Sequence, residues 1–219
     1  MILAIDTATR WTALALHSGT AVLSEQGWYG RNTQTIDLSP AIAAMLRQAN
    51  AQVDDLEAIA VALGPGSYTG LRVGLSVAKG LALVNQTALI GVPTLDIVAA
   101  AFQPLPHPLL AVAEAGRTRV CAARYTWQKR TGWQSEQPPI IATWDELLTQ
   151  QDGPLTIAGE ITPDAMRKIR VSNHEFYLSP VATWPRRAGF LAEIGWRRLR
   201  KGQTDDPAAL VPIYLREPG

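Results

Sequence analysis

Asp6 is the first side chain whose place in the sequence suits phosphate or metal chemistry, because it directly follows the apolar residues 2–5. Thr7 and Thr9 come just after it. A carboxylate at the end of a buried strand can hold a Mg²⁺-bound water, and hydroxyl groups beside it can contact a phosphate. The alternative is a structural role, in which Asp6 caps the turn into the next strand. The sequence leaves both roles open.

Glu114 ends a second apolar run and is followed by the small residues Ala115 and Gly116. The segments LAIDTA (3–8) and AVAEAG (111–116) therefore share one pattern, a buried strand that ends in an acid and small residues. This repetition predicts that the two halves of the chain have the same fold. The longer side chain of Glu114 would not position a metal-bound water as Asp6 could.

The glycine-rich stretch GPGSYTG at residues 64–70 joins an apolar strand to a long apolar helix. Gly64 and Gly66 permit a positive φ, and Ser67 can either contact an anion at the helix N-terminus or cap the helix. Leu71 follows Gly70, so the Lys-Ser/Thr ending of a nucleotide P-loop is missing. A tight turn is favoured, and a phosphate site remains the alternative.

The helix behind this loop, predicted over residues 70–84, has one face that is almost without side chains. Small residues recur there at every fourth position: Gly70, Gly74, Ala78 and Ala82. Glycine inside a helix costs about 0.5–1 kcal/mol relative to alanine, so the close approach of another backbone must compensate. That backbone belongs either to this chain's own sheet or first helix, or to another subunit.

The elements that must position these residues indicate an α/β protein. Strands are predicted over residues 2–5, 11–16, 20–24, 59–63, 89–92, 109–113, 120–125 and 155–159, and helices over residues 34–50, 70–84, 144–150 and 185–201. This order predicts mixed sheets with helices packed on them. The proline-rich residues 103–108 are typical of a linker, so we expect one subdomain over residues 1–102 and another over residues 103–219. We expect the helix over residues 185–201 to pack back on the N-terminal half.

Positive charge is concentrated on this last helix, at Arg186, Arg187, Arg197, Arg198, Arg200 and Lys201. Four of these cations lie near its C-terminus, where the helix dipole favours them. Contact with RNA phosphates is the alternative that the sequence leaves open.

Composition excludes several classes of function. The net charge is +1 and the chain has one cysteine, Cys121, so neither a strong attraction to nucleic acid nor a cysteine-based zinc cluster is expected. The three histidines, His17, His107 and His174, form no metal-binding pair. With no secretory signal and no membrane-spanning apolar run, we expect a cytoplasmic protein without membrane contact.

Four segments of the chain resemble the bacterial TsaB (YeaZ) family: 6-DTAT-9, 64-GPGSYTGLRVGLSVAKGLAL-83, 91-GVPTLD-96 and 212-PIYLRE-217. The resemblance implies an actin/hexokinase-like (ASKHA) duplicated fold of two subdomains, each with a mixed sheet and packed helices. It implies a non-catalytic subunit of the machinery that makes N6-threonylcarbamoyladenosine at position 37 of tRNA. Such a subunit binds and activates the catalytic subunit TsaD, recruits the ATPase TsaE, and forms homodimers in isolation.

Three departures fall on elements that nucleotide chemistry would need. Asn32 stands where many relatives have a histidine, Glu114-Ala-Gly replaces an Asp-x-Gly turn, and Gly159 lacks a paired glycine. We therefore expect no catalytic residue, no metal and no required cofactor, with ATP or ADP only at a partner interface. The alternative is an autonomous actin-like ATPase or small-molecule kinase.

Two sets of residues follow from the resemblance. The partner interface is predicted to contain Leu38, Ile42, Met45, Gly70, Leu71, Gly74, Leu75, Ala78 and Ala82. A remnant nucleotide or phosphate site is predicted to contain Asp6, Thr7, Thr9, Gly64, Gly66, Ser67 and Glu114.

Overall fold

The first half of the protein is a five-stranded sheet with helices on it. The structure, a computed structural model, describes residues 1–30, 34–116, 118–172 and 175–215. The elements of this half are β1 (Ile2–Asp6), β2 (Trp11–His17), β3 (Val22–Tyr29), α1 (Gln34–Gln48), β4 (Ala58–Gly64), α2 (Tyr68–Asn85), β5 (Ala88–Pro93) and α3 (Thr94–Ala100). The strand order is β3-β2-β1-β4-β5, with β1 antiparallel to β2 and parallel to β4.

The second half repeats this arrangement. Its elements are β6 (Leu109–Glu114), β7 (Arg119–Gln128), β8 (Gly132–Ser135), β9 (Ile140–Thr143), α4 (Trp144–Thr149), β10 (Leu155–Gly159), α5 (Pro163–Val171), β11 (Phe176–Leu178) and α6 (Ala188–Leu199). The strand order is β11-β10-β6-β7-β8, and β9 also pairs with β7. Like β1, β6 lies between an antiparallel and a parallel neighbour. The predicted duplication of two mixed sheets is confirmed.

Helices cover both faces of the first sheet, because alternate residues of a strand point to opposite faces. Leu3 and Ile5 of β1 belong to the apolar cluster that includes residues of α1 and α2. Ile2 and Ala4 belong to a second cluster, which includes the buried face of α6. α6 approaches β4 so closely that a Cβ added at Gly195 would lie 2.8 Å from the Ala60 Cβ. The last long helix of the chain thus completes the core of the first half.

The segment after α6 is fixed to the same sheet by main-chain hydrogen bonds. Asp205 N donates to Leu89 O at 2.8 Å, and Ile213 N donates to Leu63 O at 2.7 Å. The Asp205 carboxylate also accepts a hydrogen bond from Gly91 N at 2.7 Å. The C-terminal segment therefore belongs structurally to the N-terminal half, although the sequence division placed it in residues 103–219.

Some elements of the second half were not predicted. β8, β9 and β11 have only three or four residues each, too few to show a clear period. α5 had a readable signal, since Thr162 caps it and Pro163 is its first residue. The strand predicted over residues 20–24 extends instead over Val22–Tyr29.

The small-residue face of α2 packs on the chain itself. A Cβ added at Gly70 would lie 2.2 Å from Thr7 O, and one at Gly74 would lie 2.2 Å from Thr7 Oγ1. Thr7 Oγ1 is held there because it donates to Gly70 O at 2.7 Å. The sequence left open whether this face packs on the chain itself or on another subunit. In the structure, the backbone that approaches it is the chain's own β1–β2 turn.

This packing corrects the predicted interface residues. All nine are buried in the chain's own core: Leu38, Ile42, Met45, Gly70, Leu71, Gly74, Leu75, Ala78 and Ala82. Their apolar spacing marks the inner faces of α1 and α2 and presents no surface to a partner. That α1 and α2 bind a partner stays a prediction.

The contrast between two glycines of α2 is testable. We expect Gly74→Ala to lower the free energy of unfolding by about 1–3 kcal/mol, because its Cβ would overlap Thr7. Gly80→Ala, in the same helix, should raise it by about 0.5–1 kcal/mol, because nothing lies within 4 Å of the added Cβ. Urea denaturation of both variants measures the difference, and equal effects would contradict this packing.

Candidate functional site

The candidate site lies where the two halves meet. Asp6 is the last residue of β1, and Thr9 lies in the turn that follows it. Glu160 directly follows β10, and Arg186 precedes α6 by two residues. The carboxylates of Asp6 and Glu160 therefore lie together at the ends of strands from the two sheets. The guanidinium of Arg186 reaches them from just before α6.

The Arg186 guanidinium donates hydrogen bonds to side chains from both halves. Its Nε lies 2.7 Å from Asp6 Oδ2, and its Nη1 lies 2.7 Å from Glu160 Oε1. Its Nη2 donates to Thr9 Oγ1 at 2.9 Å. The side chains of Arg186 and Asp6 are both 0% exposed. We call these four residues the Arg186 network.

Further hydrogen bonds fix the two carboxylates. Asp6 Oδ1 accepts from Ala8 N at 2.9 Å, and Glu160 Oε2 accepts from Glu114 N at 2.8 Å. Thr9 Oγ1 also donates to Glu160 Oε1. Asp6 therefore caps its turn, as in the structural alternative, and carries an ion pair in addition.

The charge of Arg186 is secured by its surroundings. Burial of the guanidinium acts to lower its pKa, but the carboxylates of Asp6 and Glu160 outweigh burial and raise the pKa of Arg186 above its ordinary value. A buried charge is tolerated only where it is paired and hydrogen-bonded. The network meets this condition, so Arg186 remains a cation beside Asp6.

In this geometry a metal-bound water would have to compete with the groups that already contact Asp6. Both of its oxygens accept hydrogen bonds, and a cation already lies against it. Among the described residues, no group of three or more histidine, cysteine, aspartate or glutamate side chains is placed to hold a metal ion. Chemically, the arrangement joins two halves and neutralises charge.

The glycine loop also makes its contacts within the chain. Ser67 N donates to Ala8 O at 2.6 Å, and the Ser67 hydroxyl accepts from Gly70 N at 3.3 Å as the cap of α2. A Cβ at Gly66 would lie 2.1 Å from Ala8 O, and Gly64 has a φ of 110°. The tight turn is the structure observed, because the loop packs against the β1–β2 turn.

A cavity of about 510 Å³ opens beside the network on the side of the second half. Glu114 and Glu160 line it together with Lys168 and Asp145. Lys168 Nζ donates to Asp145 Oδ2 at 2.5 Å, and this hydrogen bond raises the pKa of Lys168. Of the predicted remnant-site residues, only Glu114 lines this cavity.

Sequence reasoning missed Glu160 and assigned Arg186 to a basic helix. Glu160 had a readable signal, since an acid after an apolar strand is the same pattern that singled out Asp6. Arg198, in the same basic group, donates to Gly91 O at 2.6 Å and to Asp205. Two of the six predicted basic positions are therefore used inside the fold.

The two histidines that the structure describes make contacts within the chain. His17 Nδ1 accepts from Gly19 N at 2.9 Å, and the His107 ring stacks on Tyr177. Asn32 and His174 lie outside the described residues. None of the described helices has the length and apolar character needed to cross a bilayer.

The Arg186 network gives a stability prediction with a neighbouring control. Arg186→Met should lower the free energy of unfolding by about 3–5 kcal/mol, because it leaves two carboxylates without their cation. Arg187→Met should lower it by less than about 1 kcal/mol, because Arg187 pairs with Glu25 at the surface. Urea denaturation of both variants measures the two free energies of unfolding.

A second variant covers the case in which Arg186→Met fails to fold. Replacing Arg186 with Met together with Asp6→Asn and Glu160→Gln removes all three charges and should restore folding. Similar losses in Arg186→Met and Arg187→Met, or no recovery in the triple variant, would contradict the network.

Comparison with known proteins gives a consistent result. A sequence model of the family described as "TsaD: tRNA N6-adenosine threonylcarbamoyltransferase" matches residues 33–181. The chain is 29% identical to the Bacillus subtilis protein named tRNA threonylcarbamoyladenosine biosynthesis protein TsaB, over 98% of this chain and 93% of that protein. It is 31% identical to the uncharacterized protein Rv3421c of Mycobacterium tuberculosis, over 99% and 92%.

A solved structure supports the fold. YeaZ from Pseudomonas aeruginosa matches with a TM-score of 0.78 at 21% identity, over 98% of this chain and 99% of that one. The actin/hexokinase-like duplicated fold expected from the sequence is confirmed by this likeness and by the repeated sheets. The chain belongs to the family that the TsaD sequence model describes, and its likeness to the Bacillus subtilis protein over almost the whole length confirms the predicted resemblance to TsaB (YeaZ).

Proposed function

We propose that this chain is a non-catalytic subunit for the synthesis of N6-threonylcarbamoyladenosine in tRNA. In this proposal it binds and activates a TsaD-like catalytic subunit, recruits a TsaE-like ATPase and acts in the cytoplasm. The name of its Bacillus subtilis relative supports the pathway, and the match to the TsaD family supports a homologous partner. Self-association into a homodimer and ATP or ADP at a partner interface remain predictions.

The observation that carries the non-catalytic role is the position of Arg186. Phosphoryl transfer needs a cation and a phosphate beside a carboxylate such as Asp6. Here a protein guanidinium lies against that carboxylate with 0% exposure. Binding a metal-phosphate group there would require breaking a buried ion pair, which costs about 3–5 kcal/mol when one partner is lost.

The partner surface is assigned to the outer faces of α1 and α2. Several large apolar side chains are exposed there: Ile36 at 71%, Tyr68 at 56%, Leu83 at 82% and Val84 at 79%. Exposed apolar side chains on one pair of helices favour an interaction site. A TsaD-like subunit of related sequence would offer corresponding helices, so that four helices pack together.

Two valines with the same exposure provide a matched test. Val84 is the penultimate residue of α2, and Val171 is the last residue of α5, with exposures of 79% and 80%. We expect Val84→Asp to weaken binding to the TsaD-like subunit of the same organism at least tenfold, because a charge is buried at the interface. Val171→Asp should leave the affinity unchanged.

Size-exclusion chromatography with light scattering, on this chain alone and with that subunit, gives the readout. A mixed complex that Val84→Asp weakens and Val171→Asp does not would support the proposal. Equal affinities of the two variants for that subunit would refute the assignment of the partner surface to α1 and α2. If no complex forms and the chain alone hydrolyses ATP in a manner lost on Asp6→Asn, the actin-like ATPase or kinase alternative is correct.

A further inference from the structure

A second cavity, of about 410 Å³, lies among α3, the β7–β8 hairpin and α6. It shares no residue with the Arg186 network. Five aromatic side chains line it: Phe102, Tyr125, Trp127, Trp133 and Phe190. The chain has 15 aromatic residues in all, so a third of them line this one cavity. Its volume is within the range of small-molecule sites, and its walls suit a planar ring.

Part of the aromatic wall is held in place. Trp133 Nε1 donates to Phe102 O at 2.9 Å, which ties β8 to the end of α3. The ring of Trp127 meets that of Trp133 edge to face, with the centroids 5.5 Å apart. Trp127 is 38% exposed, so its ring reaches the open side of the cavity. The partly exposed ring of Trp127, which meets Trp133 edge to face, offers one face on which a base can stack.

The Asp96 carboxylate gives this cavity a polar end, and a second carboxylate, that of Glu193, lines it beside Arg197. Tyr125 Oη donates to Asp96 Oδ1 at 2.6 Å. Within the part of the chain that the structure describes, no donor lies within hydrogen-bonding distance of Asp96 Oδ2. Burial raises the pKa of Asp96, while the hydrogen bond from Tyr125 acts against it. Burial also raises the pKa of Tyr125, so its phenol keeps the proton that it donates.

A cation lies at the exposed rim. Arg197 lines the cavity, and its side chain is 69% exposed. Its Nη2 donates to Glu193 Oε1 at 2.5 Å. A guanidinium has five N–H donors, so others are available to an anionic group of a ligand.

We propose that this cavity binds a nucleotide whose base carries an exocyclic amine. The base stacks on the indole of Trp127, the amine donates to Asp96 Oδ2, and the phosphate lies near Arg197. This combination uses the aromatic walls, the acceptor and the rim cation together. The ligand is either a free mononucleotide or a nucleotide within single-stranded RNA. The proposal does not rest on the proposed function.

AMP and IMP form a matched pair of probes, because they differ only at position 6 of the purine and at the adjacent N1, which carries a proton in IMP. We expect the wild-type protein to bind AMP with a millimolar or tighter Kd, and at least tenfold more tightly than IMP. The amine of AMP donates to Asp96, whereas the carbonyl of IMP meets a carboxylate that cannot donate. Isothermal titration calorimetry measures the Kd of each nucleotide.

Asp96→Asn should reduce this preference at least tenfold, because the amide can donate to the carbonyl of IMP and can still accept from Tyr125. Asp164→Asn is the matched control, since Asp164 also lies in the first turn of a helix and is outside the cavity. Trp127→Leu should weaken both nucleotides about tenfold through lost stacking. Far-UV circular dichroism checks that each variant is folded.

The results that support the proposed nucleotide site differ from those that overturn it. A preference for AMP that Asp96→Asn reduces and Asp164→Asn retains supports the site. Equal binding of AMP and IMP, no binding of either, or a preference unchanged in Asp96→Asn overturns it. Hexa-adenylate distinguishes the source: RNA is indicated if it binds at least tenfold more tightly than AMP, and a free nucleotide if it does not.

Discussion

The buried contact between Arg186 and the carboxylates of Asp6 and Glu160 is the interaction on which the arrangement of the two halves depends. Asp6 ends the central strand of the first sheet, and Glu160 follows a strand of the second. Asp6 could not be fully buried at this junction, nor Glu160 partly buried, without a cation, because an isolated buried charge is strongly unfavourable. Arg186 supplies the cation from just before α6, the helix that then covers the first sheet.

The same contact joins the two halves of the duplicated fold through the chain's own side chains. A group bound between two halves would hold them together by contacting both. In this chain the Arg186 guanidinium contacts both halves. The Ser67 main chain is likewise used internally, since its N–H donates to Ala8 O. The exposed side chains of α1 and α2 and the aromatic cavity among α3, β7, β8 and α6 take no part in these contacts.

Sequence predicted the framework better than the site. The strand after Met1, the glycine turn and α2 were all readable, because apolar period and glycine placement are local signals. The partner of Asp6 was not readable, since Arg186 is 180 residues away and looked like one of several helix cations. The nine interface residues were misassigned for a related reason. An apolar stripe shows that a helix face is buried, and the sequence does not say whether the chain itself or another subunit covers it.

The most direct measurement is a crystal structure of the protein grown with Mg²⁺ and a non-hydrolysable ATP analogue. We expect that the Arg186 guanidinium still lies between Asp6 and Glu160, with no metal ion beside Asp6. A structure in which Arg186 is displaced and Mg²⁺ is held near Asp6, with phosphates at the Gly64–Ser67 turn, would contradict it.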